Sequence, residues 1–251
     1  MQTVLITGVS KGIGRALAEK FLAEGHNVMG TTTTGSADYS DTYSQKNLRI
    51  FQLELTDPKS IAACAQAIGQ ACATVDTKID ILINNAGALL DEDETHVVID
   101  KLHQTLEVNL IGPIDFTERI IPFMNTAVNT ASEEKQSGYG SHGGHIISMS
   151  SQAGSLQEMD HIMDSHYPYH YPAYKISKCA INMYTRTLAV RLSHEKTGII
   201  VSSTHPGWVK TDMGGDEAPT TPADAAEHIY QLAISRPETG QFWFEGKKYP
   251  W

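Results

Sequence analysis

A chain of 251 residues, 41% apolar and with net charge −10, suits a single α/β domain with a buried core and excludes a disordered chain. It carries no basic block, which excludes nucleic acid and anionic membrane surfaces as natural partners. No window reaches the length of an apolar membrane span, and the first strand begins by Thr3, which leaves no room for a secretory leader. Cys64, Cys72 and Cys179 have neither metal nor redox spacing, so a cytoplasmic protein without a metal is the expectation.

Val4-Leu5-Ile6 reads as a buried strand. It runs into Thr7-Gly8-Val9-Ser10-Lys11-Gly12-Ile13-Gly14, and an amphipathic helix follows over 16–22. Strand, glycine turn and helix together predict a dinucleotide-binding unit. The unpaired N–H groups and positive end of a helix N-terminus hold a pyrophosphate. A side chain at Gly8, Gly12 or Gly14 would block the turn, the phosphate or the helix packing. Gly8, Ser10, Lys11, Gly12, Ile13 and Gly14 are the predicted contacts there. Gly25 stops the helix, and His26 to Thr31 forms the second strand. Its end, Gly30-Thr31-Thr32-Thr33-Thr34, lacks the acid that would bind the adenosine ribose and repel a 2′-phosphate, and Asp38 comes too late in register. The Lys11 ammonium can reach such a phosphate. Lys11, Thr31, Thr32 and Thr33 therefore predict NADP(H) in preference to NAD(H).

Leu48 to Leu55 is the third strand, and Asp57 caps a helix that runs to about Ala73. Ile79 to Ile83 is a buried parallel strand that delivers Asn84-Asn85-Ala86-Gly87 to its carboxyl end, where open α/β sheets bind ligands. Residues 97–124 read as mostly helical, kinked at Pro113, with Asn109 a polar amide inside the helix. Residues 125–144 form a polar loop, and His145 to Met149 is a strand closed by Ser150-Ser151. The helix over 173–193 puts Tyr174 and Lys178 one turn apart on one face. Ile199 to Thr204, a capped helix over 223–234 and an edge strand at Phe242 to Phe244 complete the pattern. The predicted fold is a doubly wound parallel sheet of about seven strands with helices on both faces, one domain over 1–251.

Four motifs occur in order: Thr7-Gly8-x-x-x-Gly12-x-Gly14, Asn84-Asn85-Ala86-Gly87, Tyr174-Lys175-Ile176-Ser177-Lys178, and Pro206-Gly207-Trp208-Val209-Lys210-Thr211. Together they resemble the short-chain dehydrogenase/reductase family over nearly the whole chain. The short segment after Thr211 and the tail Phe244 to Trp251 resemble its C-factor and sniffer-type carbonyl reductase branch. The resemblance implies a Rossmann fold and an NADP(H)-dependent oxidoreductase that reduces a small aldehyde, ketone or quinone, or runs the reverse reaction. It implies Tyr174 as proton donor and Lys178 as the cation that favours its phenolate and binds the nicotinamide ribose. Ser151, with Ser150 as the alternative, would hold the substrate oxygen, and Asn109 would hold a water in a proton relay. Further implied cofactor contacts are Glu54 (where the family often has Asp), Leu55, Asn85, Ala86, Gly87, Pro206, Gly207, Val209 and Thr211.

The chain spends more residues between Ser151 and Tyr174 than that family does, which predicts an active-site lid over 156–171 carrying Met159, Met163, Tyr167, Tyr169 and Tyr171. The expected partner is a small carbonyl or alcohol, with no nucleic acid and no membrane, and the chain is expected to be a monomer or a homodimer. Two other classes share the pattern. A non-catalytic dinucleotide sensor has no need of the serine and the proton relay. A sugar-nucleotide epimerase shares the Tyr-x-x-x-Lys spacing but usually carries a larger carboxyl-terminal domain.

Overall fold

The computed structural model describes residues 1–39, 47–127, 143–159 and 170–251. The strands are β1 (Thr3–Thr7), β2 (Asn27–Thr32), β3 (Leu48–Gln52), β4 (Ile81–Asn84), β5 (His145–Met149), β6 (Ile200–Thr204), β7 (Gln241–Phe244) and β8 (Lys247–Lys248). The helices are α1 (Gly12–Ala23), α2 (Pro58–Thr74), α3 (Ile99–Leu106), α4 (Gly112–Ile120), α5 (Pro172–His194) and α6 (Pro222–Ile234). The sheet order is β3-β2-β1-β4-β5-β6-β7-β8, parallel except for the final β7–β8 pair. Among the described residues the sheet thus has eight strands where about seven were predicted, the extra one being a two-residue hairpin arm.

Strand order reverses between β1 and β4, and the crevice at their carboxyl ends is the place where such sheets take ligands. The central strands read as continuous apolar runs because helices cover both faces. Leu5, Leu82 and Ile146 face a layer with Ile61, Ile68 and Phe116 of α2 and α4. Val4, Ile6, Ile81 and Ile83 face Leu17, Phe21, Ile229 and Leu232 of α1 and α6. Phe21 and Phe116 are fully buried, each contributing about 2–3 kcal/mol of transfer free energy.

Two expectations for local structure are corrected. The third strand ends at Gln52, and Leu53 to Leu55 follow as buried chain leading into the Asp57 cap. The segment 97–124 is not one helix kinked at Pro113. A π-helical turn, Glu107–Ile111, separates α3 from α4, and Pro113 lies buried in the first turn of α4. The wider π turn follows from Asn109, whose amide leaves the helix to bond the main chain of Ala88. Of the predicted lid, Met163, Tyr167 and Tyr169 lie outside the described residues, while Leu156, Met159 and Tyr171 lie within them.

Candidate active site

The glycine turn enters the cleft under main-chain control. The N–H groups of Gly8 and Val9 both donate to the Thr31 carbonyl at 3.0 Å. The Asn85 amide donates to the carbonyls of Thr7 (2.9 Å) and Gly8 (3.2 Å), and Thr7 Oγ1 accepts the N–H groups of Asn85 and Ala86 at 3.0 Å. The β1 and β4 ends are thereby locked together, with Asn85 spent on the lock. A Cβ on Gly14 would lie 2.1 Å from the Gly8 carbonyl oxygen and 2.4 Å from Asn85 Nδ2. Gly14→Ala is therefore expected to lower stability by about 2–3 kcal/mol, or roughly 5–10 °C in Tm, and to abolish tight dinucleotide binding. Thermal melts and a fluorescence titration check both, and an unchanged melt would mean that the turn has slack.

The cleft is lined by Gly8, Ser10, Lys11, Gly12, Ile13 and Gly14 and by Asn85, Ala86 and Gly87. Tyr174, Lys178, Pro206 and Thr211 line it as well. Residues that sequence reasoning missed also line it, among them Met149, Lys210, Asp212, Met213 and Pro222. They sit next to recognisable motifs but have no pattern of their own.

Several predicted cofactor contacts do not line this cleft. Thr31 and Thr32 are buried, and the Thr32 hydroxyl donates to the Ser36 carbonyl at 3.0 Å. The Thr33 carbonyl accepts the Gln52 amide. The Glu54 carboxylate turns back to accept the N–H and hydroxyl of Thr56 at 3.1 and 2.9 Å, which occupies the group assigned to adenine. The Leu55 carbonyl lies against Gly112, where a Cβ would come within 2.2 Å of it. Gly207 takes a left-handed φ of 84°, and Val209 is buried. Lys11 forms an ion pair with Asp212 across the mouth of the cleft. Both side chains are more than 70% exposed, so the pair is weak and easily exchanged.

Ser151, Tyr174, Lys178 and Asn109 converge from three elements: the end of β5, the first turns of α5, and the π turn. The Ser151 hydroxyl lies close enough to the Tyr174 phenol to lower its pKa, and it accepts the Ala153 N–H at 3.2 Å, capping a short 3-10 turn. Ser150 instead is buried, donates to the Lys178 carbonyl at 3.3 Å and lines the cleft. Lys178 Nζ donates to the Met149 carbonyl at 2.9 Å and lies 5.4 Å from the centre of the Tyr174 ring. Burial pushes its pKa down to about 8. Burial pushes the Tyr174 phenol up to about 12, against the opposing pull of the nearby Ser151 hydroxyl. The phenol therefore keeps its proton at neutral pH, the form that donates, and this differs from the lowered value expected from the lysine. The reason is desolvation of the buried phenol, the largest influence on it.

Asn109 Oδ1 accepts the Ala88 N–H at 2.8 Å, and its amide donates to the Ala88 carbonyl (2.8 Å) and the Ser177 hydroxyl (3.1 Å). A Cβ on Gly87 would sit 3.2 Å from Asn109 Oδ1 and 3.5 Å from Lys178 Nζ, so this glycine lets the two groups share one corner. Among the described residues no group of three His, Cys, Asp or Glu side chains is placed to hold a metal, and no helix is long and apolar enough to cross a membrane.

A family model described as short chain dehydrogenase matches residues 2–221. The chain is 28% identical, with a TM-score of 0.80, to the NADPH-bound carbonyl reductase from chicken fatty liver, covering 100% of this chain and 94% of that one. It is 28% identical, with a TM-score of 0.79, to the carbonyl reductase Sniffer of D. melanogaster over 100% of both chains. It is 26% identical to carbonyl reductase [NADPH] 1 of Oryctolagus cuniculus over 100% of this chain and 98% of that one. With its glycine turn at the switch point and Tyr174 and Lys178 lining the same cleft, this chain belongs to the short-chain dehydrogenase/reductase family, oxidoreductases that work on the alcohol–carbonyl pair with a nicotinamide dinucleotide.

Proposed function

We propose that this protein reduces a small aldehyde, ketone or quinone with NADPH, Tyr174 donating the proton. One observation carries the reading. The centre of the Tyr174 ring lies 5.4 Å from the Lys178 ammonium, and both residues line the same cleft as the glycine turn. The residues fit a dinucleotide: Gly8, Gly12 and Gly14 expose main chain at the start of α1, and Gly87 leaves room beside Lys178. The bound nicotinamide supplies the hydride.

This chain's residues do the rest. Ser151 donates to the carbonyl oxygen and sets its position next to the phenol. Tyr174 passes its proton to that oxygen as negative charge develops there. Lys178 holds the ribose hydroxyls and steadies the phenolate left behind. Asn109 binds Ala88 and Ser177 and keeps the corner around Lys178 in shape.

A screen of aldehydes, ketones and quinones against reduced cofactor, followed by absorbance loss, tests the activity. No turnover with any of the three classes, despite tight NADPH binding, would favour a dinucleotide sensor. The same chemistry makes a small carbonyl or alcohol the partner, acting on a monomer or homodimer. The unpaired Cys64, Cys72 and Cys179 suit a reducing, cytoplasmic setting.

The preference for NADPH rests on Lys11 and on the absence of an acid at the end of β2, and the NADPH named for the chicken and rabbit reductases supports it. A charge-assisted contact to the 2′-phosphate contributes about 1.5–3 kcal/mol, so roughly ten- to a hundredfold in affinity. Lys11→Ala is expected to weaken NADPH by that factor and leave NADH unchanged. Titration of both reduced cofactors checks this, and equal losses for the two would remove Lys11 from the phosphate.

A further inference from the structure

The helix that carries Tyr174 begins in an unusual way. Tyr171, its N-cap, has a left-handed φ of 49° and makes no side-chain cap, and Pro172 follows at the first helical position. The first free N–H groups of α5 are met by a remote acid. Asp91, 1% exposed, accepts the Ala173 N–H at 2.6 Å through one carboxylate oxygen and the Tyr174 N–H at 3.3 Å through the other. The adjoining chain grips the same entry point. The Glu94 carbonyl accepts the Tyr171 N–H at 3.0 Å, and His170 Nδ1 lies 3.0 Å from the Glu92 carbonyl oxygen. A buried carboxylate is costly unless it is compensated. Here the positive end of α5 and the Lys175 ammonium, which senses Asp91, supply the compensation.

We propose that Asp91 is a positioning residue for catalysis: it fixes the first turn of α5, and with it the Tyr174 hydroxyl against Ser151. The geometry explains why this position needs an acid. A non-glycine residue at positive φ is disfavoured, so the entry through Tyr171 relaxes unless something outside the helix holds it. Tyr174 is itself the second residue that Asp91 binds. Loss of that bond frees the turn from which the phenol projects. Asp91 also sits at the end of a short path from the cofactor corner. Ala88 is clamped on both main-chain groups by Asn109, and three residues further on Asp91 clamps α5. The reach of chain from Gly87 to Asp91 thus ties the floor of the dinucleotide cleft to the start of the catalytic helix.

The proposal rests on Tyr174 being the proton donor. Its test compares Asp91→Ala, which removes both acceptors, with Asp91→Asn, which keeps an oxygen for Ala173 and turns an amide towards the Tyr174 N–H. A misplacement of the reacting group by about an ångström costs up to roughly a hundredfold in rate. Asp91→Ala is expected to lower kcat by about ten- to a hundredfold, with KM for the carbonyl and Kd for NADPH close to wild type. Asp91→Asn, which sets an amide N–H against the Tyr174 N–H, is expected to recover only part of that loss and to stay more than about threefold below wild type in kcat. A kcat within twofold of wild type in both variants overturns the proposal. So does a rise in the NADPH Kd that parallels the loss of kcat, because that pattern means general unfolding of the site. If Asp91→Ala fails to fold, Asp91→Asn decides alone, and an unchanged kcat counts against the proposal. Tyr174→Phe run beside them separates the two levels. If that variant keeps its turnover, the proton-donor reading is at fault, and if it is dead while the Asp91 variants are normal, only the positioning role fails.

Discussion

Tyr174→Phe is expected to lose about a hundred- to ten-thousandfold in kcat for carbonyl reduction, the range that a positioned general acid supplies, with NADPH affinity almost unchanged. The substitution removes one hydroxyl and keeps the ring that packs edge-on to Tyr171 at 6.1 Å and lies beside Lys178. The fold has no reason to change. An interaction made only as the proton moves lowers kcat and kcat/KM together. Single-turnover measurement of cofactor oxidation, together with a separate NADPH titration, reads the two quantities. A parallel loss of cofactor binding would make Tyr174 a structural residue. The raised phenol pKa, about 12, adds a directional consequence. The protonated form dominates throughout the neutral range, so reduction needs no ionisation of Tyr174, whereas alcohol oxidation needs the phenolate and is expected to rise with pH.

Lys178→Ala is expected to damage both steps, with kcat falling about a hundredfold and NADPH binding about tenfold, since one charge-assisted hydrogen bond is worth roughly 1.5–3 kcal/mol in each state. The lysine is buried among the Met149 carbonyl, the Tyr174 ring and the Gly87 turn. Its pH behaviour gives an independent check. Burial lowers its pKa to about 8, so the ammonium is present below that value and is lost as pH rises through it. The wild-type kcat/KM for NADPH is therefore expected to be level on the acid side and to fall above a pH of about 8. That limb should vanish in Lys178→Ala. If it persists, another group titrates, and if binding alone suffers, Lys178 has no part in the proton transfer.

The order of elements was legible because each carries a local signal. The apolar runs at Val4 to Ile6 and Ile79 to Ile83 are what a strand covered on both faces requires. The glycines of the first turn reflect main-chain crowding that no side chain tolerates, as the 2.1 Å approach at Gly14 confirms. The spacing of Tyr174 and Lys178 follows from helical period alone, and α5 places both toward the cleft. What could not be read were contacts whose partners are distant in sequence or belong to the main chain. The π turn at Glu107 to Ile111 exists because Asn109 finds Ala88, 21 residues away. The anchor at Asp91 is hidden in the run Asp91-Glu92-Asp93-Glu94, where nothing local distinguishes the buried acid from its three neighbours.

The sequence by itself determined the α/β class, the strand at which the cofactor turn begins, and the residue types available for proton transfer, because periodicity and glycine placement act over a few residues. Tertiary structure alone decided protonation and pairing. Burial makes Tyr174 a protonated phenol and holds Lys178 near its titration point, and desolvation depends on how the whole cleft closes. It also decided that Glu54 turns to Thr56, that Thr31 and Thr32 face inward, and that Lys11 meets Asp212 across 201 residues of chain. Each of these is a competition between partners brought together only by the fold, and short-range pattern carries no information about which of them wins.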